Sequence, residues 1–309
     1  MKYLELYLKE CSIRKKSKNT IENINQAVKS LVNYFNSIGV SVTEERIKAI
    51  TIEETFGYRD FLIAKGYKNG TINNRINSLK GFYSFMSKYG IIKDNPFKGF
   101  SNLIEDDKTI KDVLTKEEVL KVIKAFDTKL TGERSFEYKS KRNKAIISIL
   151  ASTGIRVNNL LGVTIDRLIP IESGYKISYD SKETKGRVPV TIYIVGRNKE
   201  LMDDWLKVRK DKTGLNLLFN TVNGKKISIS DINSIVDTRV NMCNIPKHIT
   251  IHSLRAFTAN NMLVNGVEDK IIKKMLGWRI DPSEVMFSTY YRDEMQEKKY
   301  IEYSQLLYA

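Results

Sequence analysis

At 309 residues, with 52 Lys+Arg against 36 Asp+Glu and a formal charge of +16, the chain is long enough for two domains with separate cores, and its surplus cations point to a polyanionic partner, nucleic acid first. Its two cysteines, Cys11 and Cys243, exclude a disulfide framework and a four-cysteine zinc site, and fit a reducing compartment. The opening run Met1-Lys2-Tyr3-Leu4-Glu5-Leu6 threads charges through its apolar residues, so neither a signal-peptide core nor a spanning segment is expected and a cytoplasmic protein is read.

A basic run, Arg14-Lys15-Lys16-Ser17-Lys18, precedes Ile21, Ile24, Val28, Leu31, Val32 and Phe35, whose spacing predicts an amphipathic helix from Asn19 entered through a cationic loop. Ile52 to Ala64 reads as a further helix. From Thr71 the residues Ile72, Ile76, Leu79, Phe82, Tyr83 and Met86 form one stripe, with Asn95-Pro96 beyond its end. Residues 1–100 therefore read as a small all-α domain. The polar, acidic and weakly patterned segment 101–112 reads as a linker.

The second domain, 113–309, opens with the capping box Thr115-Lys116-Glu117-Glu118 between Leu114 and Val119, and predicts a helix to Phe126. Ala145 to Leu150 is an apolar helical stretch that stops at Gly154. Tyr175 to Tyr179 and Val188 to Val195 alternate or are β-branched around Lys185-Gly186, predicting a hairpin, and Pro189 suits an exposed edge strand. Helical pattern returns from Lys199, broken at Asn223-Gly224, Asn265-Gly266 and Gly277. The predicted class is mainly α with a small antiparallel β-sheet.

His252-Ser253-Leu254-Arg255 puts two nitrogen donors three residues apart, on one face of a helix beginning near Thr250, whose unpaired N–H groups also favour an anion. An incidental surface His and Arg is the bland alternative. Thr153-Gly154-Ile155-Arg156 sets an arginine after a glycine turn, where capping or ion pairing is the ordinary role. Lys182 stands at the end of one hairpin strand and Lys185 in the turn, where lysines are usually just solvated. His248 and His252 are four apart, but no Cys, Asp or Glu stands at ligand spacing and Pro246 interrupts the helix, so no metal is expected and His248 reads as a loop residue touching DNA.

In this order, with the tyrosines near residue 290, the stretches resemble the catalytic domain of the tyrosine recombinase (phage integrase) family. The match takes in Thr153 to Arg156, the basic hairpin, His252 to Arg255, Leu276-Gly277 and a tyrosine-bearing helix. It spans most of residues 115–295. The helices ending at Asn95-Pro96 resemble that family's SAM-like core-binding domain. The resemblance implies a helical core-binding domain joined to an α+β catalytic domain in a C-shaped clamp around duplex DNA.

It also implies breakage and rejoining of DNA through a 3′-phosphotyrosine, with no metal, ATP or other cofactor. Arg156 and Arg255 would clamp the nonbridging oxygens and Lys182 would protonate the leaving 5′ oxygen, with Lys185 as the fallback. His252 would manage a proton near the nucleophile or bind a phosphate oxygen. Three departures stand out: Trp278 replaces a common histidine, Asn159 replaces an acidic residue common three positions after the first arginine, and Arg279 to Pro282 looks like a small insertion. Tyr290 is the preferred nucleophile over Tyr291, because it needs the smaller insertion and keeps Arg292 two residues on.

The expected DNA contacts are Arg14, Lys15, Lys16, Lys18, Asn73, Asn74, Arg75 and Lys80, mainly to phosphate. The expected partners are paired duplex half-sites and further copies of the chain, two per site and four in a synapse. The stretch Tyr300 to Tyr308 is expected to dock on a neighbouring protomer, with packing on its own domain as the alternative. A type IB topoisomerase, a telomere resolvase and an inactive DNA-binding regulator are the competing readings.

Overall fold

The computed structural model describes residues 1–104, 113–184, 187–247, 249–278 and 293–309, of which 293–296 by backbone alone. Contacts divide the chain into two units, Met1–Ile110 and Lys111–Ala309.

The first unit contains α1 (Lys2–Ile13), α2 (Lys18–Ser37), the short α3 (Glu44–Lys48), α4 (Ile52–Ala64) and α5 (Asn69–Lys88), where α2, α4 and α5 are the three predicted helices and α1 and α3 are additions. Ser17 caps α2, accepting from the Thr20 amide at 3.1 Å, and a Thr51/Glu54 capping box starts α4. The core joins Val28, Leu31 and Phe35 of α2 to Tyr58 and Leu62 of α4 and to Ile72, Leu79, Phe82, Tyr83 and Met86 of α5. Phe97 completes it: Asn95 turns the chain back by accepting from the Phe97 amide and donating to the Lys80 carbonyl, both at 2.9 Å.

A polar stripe on α5 then zips the departing chain along the helix. Asn69 donates to the Ile104 carbonyl at 2.9 Å, Asn77 to Asn102 at 3.1 Å and Lys80 to the Phe100 carbonyl at 3.4 Å. Asn73 donates to the Leu103 carbonyl at 2.9 Å and accepts from its amide at 2.8 Å. This spacing of four puts the asparagines on one helix face, where they satisfy an extended segment that has no strand partner.

The second unit contains α6 (Lys116–Ala125), α7 (Phe136–Thr153), α8 (Val157–Gly162), β1 (Ile169–Ile171), β2 (Gly174–Tyr179), β3 (Val190–Val195), α9 (Arg197–Val208), α10 (Ile229–Met242), α11 (Ile251–Val264), α12 (Asp269–Met275) and α13 (Asp293–Tyr303). The Thr115/Glu118 capping box starts α6 as its sequence requires. The strands form one antiparallel sheet in the order β1-β2-β3, with Tyr175 opposite Ile194 and Ile177 opposite Ile192. The expected hairpin is therefore present with β3 at the edge, and β1 is an addition hidden in the sequence by its length and Pro170.

Helix α7 runs through the core and is buried continuously from Ala145 to Thr153. Against it lie α9, whose Trp205 is wholly buried and donates to the Leu218 carbonyl at 2.9 Å, and α11, whose Thr258 hydroxyl donates to the Ala151 carbonyl at 2.9 Å.

The C-terminal stretch has contacts within its own unit. It packs on its own unit: Leu307 is 1% exposed in the main core, Tyr300 lies beside Tyr193, and the Tyr308 hydroxyl shares a hydrogen bond with Ser148 of α7. Burial of Leu307 and the hydrogen bond to Ser148 stabilise these contacts within the single chain.

Asn73→Ala removes both bonds to Leu103, so the first unit should lose about 1–2 kcal/mol in urea unfolding and the Leu103 amide should exchange faster. Unchanged stability with weakened DNA binding would return Asn73 to the DNA surface.

Candidate active site

Three segments far apart in sequence meet around two guanidinium groups. Helix α7 ends at Gly154, whose φ of +59° reverses the chain, while the Thr153 hydroxyl accepts from the Ile155 amide at 3.3 Å. This delivers Arg156 as the residue preceding α8, half-buried, with extended backbone. Arg255 comes from the second turn of α11, 7% exposed. That helix is fixed by its Thr250/Ser253 capping box and by Asn233 of α10, which accepts from the Ile251 amide at 3.0 Å. The third segment, Leu276-Gly277-Trp278, follows α12 in a turn where Gly277 has φ of +61°.

Backbone carbonyls tie these pieces together. Arg255 donates to the carbonyls of Gly154 and Leu276, and both terminal nitrogens of Arg156 reach the Gly277 carbonyl at 3.4 Å. Both glycines are also close-approach positions. A Cβ on Gly154 would lie 2.3 Å from Leu276 Cδ2, and one on Gly277 would lie 2.6 Å from Val190 Cγ2 and 3.5 Å from Arg156 Nη1. The Trp278 ring stands beside the pair, its centroid 5.7 Å from the Arg255 guanidinium carbon.

The electrostatics follow from the choice of acceptors. Carbonyls orient a guanidinium without neutralising it, and among the described residues no carboxylate pairs with Arg156 or Arg255. Burial lowers the affinity of both for their protons, and the Arg156 charge adds to this at Arg255, which is pushed down to about 10. Both remain protonated at neutral pH. Two like charges held side by side and partly desolvated make a site for a doubly coordinated anion.

The other expected residues are distributed around this pair. His252 is exposed on the first turn of α11, one turn before Arg255. Lys182 is exposed in the turn that follows β2, and the hairpin approaches the site twice: Val190 packs against Gly277, and Asn159 of α8 donates to the Glu183 carbonyl at 3.4 Å. Tyr290, Tyr291, Lys185 and His248 lie outside the described residues.

In the first unit, Lys15, Lys16 and Lys18 are exposed around the turn between α1 and α2, where Lys15 has φ of +52°, and Arg14 pairs with Glu10. Asn74 is exposed on α5. Its neighbours also make contacts within the unit: Asn73 is buried with its amide engaged by Leu103, while the partly exposed Lys80 points to the Phe100 carbonyl and the partly exposed Arg75 stacks on Tyr67 at 4.0 Å while donating to Ser30 at 2.9 Å. The side-chain amide of Asn73 is therefore engaged within the unit, whereas Arg75 and Lys80 combine an internal bond with a partly exposed side chain.

The sequence did not disclose the glycine carbonyls as arginine acceptors, nor Glu183 as a partner of Asn159. The glycine breaks were the available signal, since a helix ending in a left-handed residue turns its last carbonyls toward neighbours.

Gly277→Ala forces a side chain into a left-handed backbone against Val190, so it should cost about 2 kcal/mol or more in urea unfolding and slow any reaction needing Arg156 by about tenfold or more. Wild-type stability and rate would show that Gly277 does not set Arg156.

Comparison with known proteins places the chain. The phage integrase family model matches residues 112–297, more than half of the chain, and the model of the phage integrase N-terminal SAM-like domain matches residues 4–90. Tyrosine recombinase XerC of Bacillus subtilis is 26% identical over 286 residues, covering 88% of this chain and 89% of that one. Tyrosine recombinase XerD of Staphylococcus haemolyticus is 28% identical over 283 residues, 89% of each. Among solved structures, a lambda integrase (75-356) dimer bound to a COC′ core site is similar with a TM-score of 0.68 at 16% identity, covering 91% of this chain and 96% of that one. The Tn1549 transposon integrase in complex with circular intermediate DNA gives a TM-score of 0.64 at 19% identity, over 96% and 98%. These likenesses cover both units of the fold, and with the family models matched along them, the chain belongs to the phage integrase family of tyrosine recombinases.

Proposed function

We propose that this chain is a site-specific DNA recombinase in which residues 1–100 grip the duplex and residues 113–309 cut and rejoin it. The observation that carries the chemical assignment is the pair Arg156 and Arg255, held by neutral carbonyls with their charge left for a phosphate. In this reading Tyr290, with Tyr291 as the alternative, attacks the scissile phosphorus. The P–O bond to tyrosine forms as the P–O5′ bond breaks. Arg156 and Arg255 bind the nonbridging oxygens through the five-coordinate state, with the Trp278 indole beside them, and His252 binds a phosphate oxygen or takes the tyrosine proton.

Lys182 gives its proton to the departing 5′ oxygen, with Lys185 as the alternative. The product, a 3′-phosphotyrosine and a 5′ hydroxyl, conserves the bond energy, so a second 5′ hydroxyl reverses the step and seals the exchange. Neither a metal ion nor ATP is required by this balance.

Arg14, Lys15, Lys16, Lys18 and Asn74 support the duplex contact, with Arg75, Lys80, Lys185 and His248 as further candidates, and phosphate contacts should make binding steeply salt-dependent. The similar lambda integrase structure is a dimer on its core site, which supports paired half-sites, two protomers on each and four in the synapse. No helix among the described residues is long and apolar enough to cross a membrane, and action on DNA supports a cytoplasmic setting. Recombinase relatives matched along nearly nine-tenths of their length favour strand exchange over the topoisomerase and resolvase readings, and the arginine pair, without a carboxylate partner among the described residues, favours an active enzyme over a regulator.

A nicked duplex that loses its 5′ fragment on cleavage should trap a covalent protein–DNA adduct. Tyr290→Phe should abolish it, and Arg255→Ala should slow it by about a hundredfold to a thousandfold. No adduct with the unaltered protein overturns the proposal, and loss in Tyr291→Phe alone moves the nucleophile to Tyr291.

A further inference from the structure

We propose that Asn159 and Glu183 are positioning residues that hold the Lys182 turn in register with Arg156, an inference that rests on Lys182 being the acid for the leaving oxygen. A lysine delivers its proton from a flexible four-carbon stem, so the accuracy of the transfer depends on where its backbone is held. Lys182 is itself exposed, while the residue after it is fastened at three points.

The Glu183 carboxylate pairs with Arg167 and accepts from the Asp180 amide at 2.8 Å, while the Glu183 amide donates to the Asp180 carbonyl at 3.0 Å. The Glu183 carbonyl accepts from Asn159 Nδ2 at 3.4 Å. Arg167 is anchored in turn by the Ser178 carbonyl and lies over the ring of the buried Tyr179 at 5.3 Å. Beyond the turn Thr184, 5% exposed, closes the loop by donating to the Val188 carbonyl at 2.6 Å and accepting from its amide at 3.1 Å.

Among the described residues, Asn159 is the part of this brace that reaches the arginine side of the site. It lies one turn after Arg156 on α8, its amide bonded to the Arg156 carbonyl at 2.9 Å. A displacement of α8 therefore carries the Lys182 turn with it. The identity of residue 159 follows from the acceptor it meets. A carbonyl needs a donor, which a carboxamide supplies and an ionised carboxylate lacks, so the departure from an acidic residue at this position suits a hairpin that presents Glu183 C=O. Arg167 with Glu183 alone would stabilise the hairpin; the Asn159 bond ties its Lys182 turn to α8, apart from the Val190 contact with Gly277 that brings β3 to the site.

The test uses leaving groups. A 5′ oxygen must be protonated to depart, whereas a 5′-bridging sulfur leaves as a thiolate, stable near neutral pH because thiols titrate at about 8.5. With the full-length protein and the same duplex in both forms, Asn159→Ala, Asn159→Asp and Glu183→Ala should cleave the oxygen substrate about tenfold to a hundredfold more slowly. On the sulfur substrate they should come within about twofold of the unaltered protein, as Lys182→Ala should, while Arg156→Ala stays slow on both. Asn159→Asp keeps size and exposure, so it separates the lost donor from a folding defect.

An equal defect on both substrates, or no defect on oxygen, overturns the brace. If Lys182→Ala is not rescued by sulfur while the Asn159 variants are, the brace positions a different acid. If none is rescued, the Lys182 assignment and the brace fall together.

Discussion

The site depends on two arginines that, among the described residues, are held by main-chain carbonyls rather than by carboxylates. An ion pair would have fixed Arg156 and Arg255 more strongly, but it would have cancelled the charge that a phosphate has to find. The carbonyls of Gly154, Leu276 and Gly277 give direction without neutralisation. The consequence is a destabilised pair, partly desolvated and mutually repulsive, whose cost falls on the fold until an anion arrives. That is the sense in which the site is prepared for substrate.

Much of the second unit can be understood as support for that arrangement. The carbonyls point the right way because α7 and α12 end in left-handed glycines, and the helices stop in place because α7 is clasped by α9 and α11 along its length. Thr258 fastens α11 to the last turn of α7, three residues beyond Arg255 on the same helix. Asn233 satisfies the start of α11 and so sets the height at which His252 and Arg255 emerge. At the other end of the chain, Leu307 and Tyr308 seal the underside of α7 through Ser148.

Helices with a clean apolar stripe were legible in the sequence, among them α2 and α6, because burial and local capping specify the same boundaries. The hairpin was legible from β-branched alternation, but β1 was not, being three residues long and containing a proline. For the site, Arg156 and Arg255 are brought together as their motifs suggested, since glycine breaks and a helix start are local signals.

What escaped were partnerships across long separations. Asn73, Arg75 and Lys80 read as a polar surface stripe, whereas the residues they engage lie elsewhere in the chain, at Leu103, Ser30 and Phe100. The same applies to Asn159, whose acceptor is 24 residues away in a turn. Periodicity tells which side of a helix is polar and says nothing about whether that side meets water, DNA or another stretch of its own backbone.

The most direct measurement of the central claim is thermal unfolding in sulfate, a tetrahedral dianion, against chloride at equal ionic strength. The unaltered protein should be stabilised by about 1.4 kcal/mol at ten times the dissociation constant, a rise of a few degrees in Tm, and Arg156→Gln or Arg255→Gln should each remove the sulfate-specific part. Equal sulfate stabilisation in those variants, or none beyond chloride in the unaltered protein, would contradict an anion site built on the carbonyl-held arginine pair.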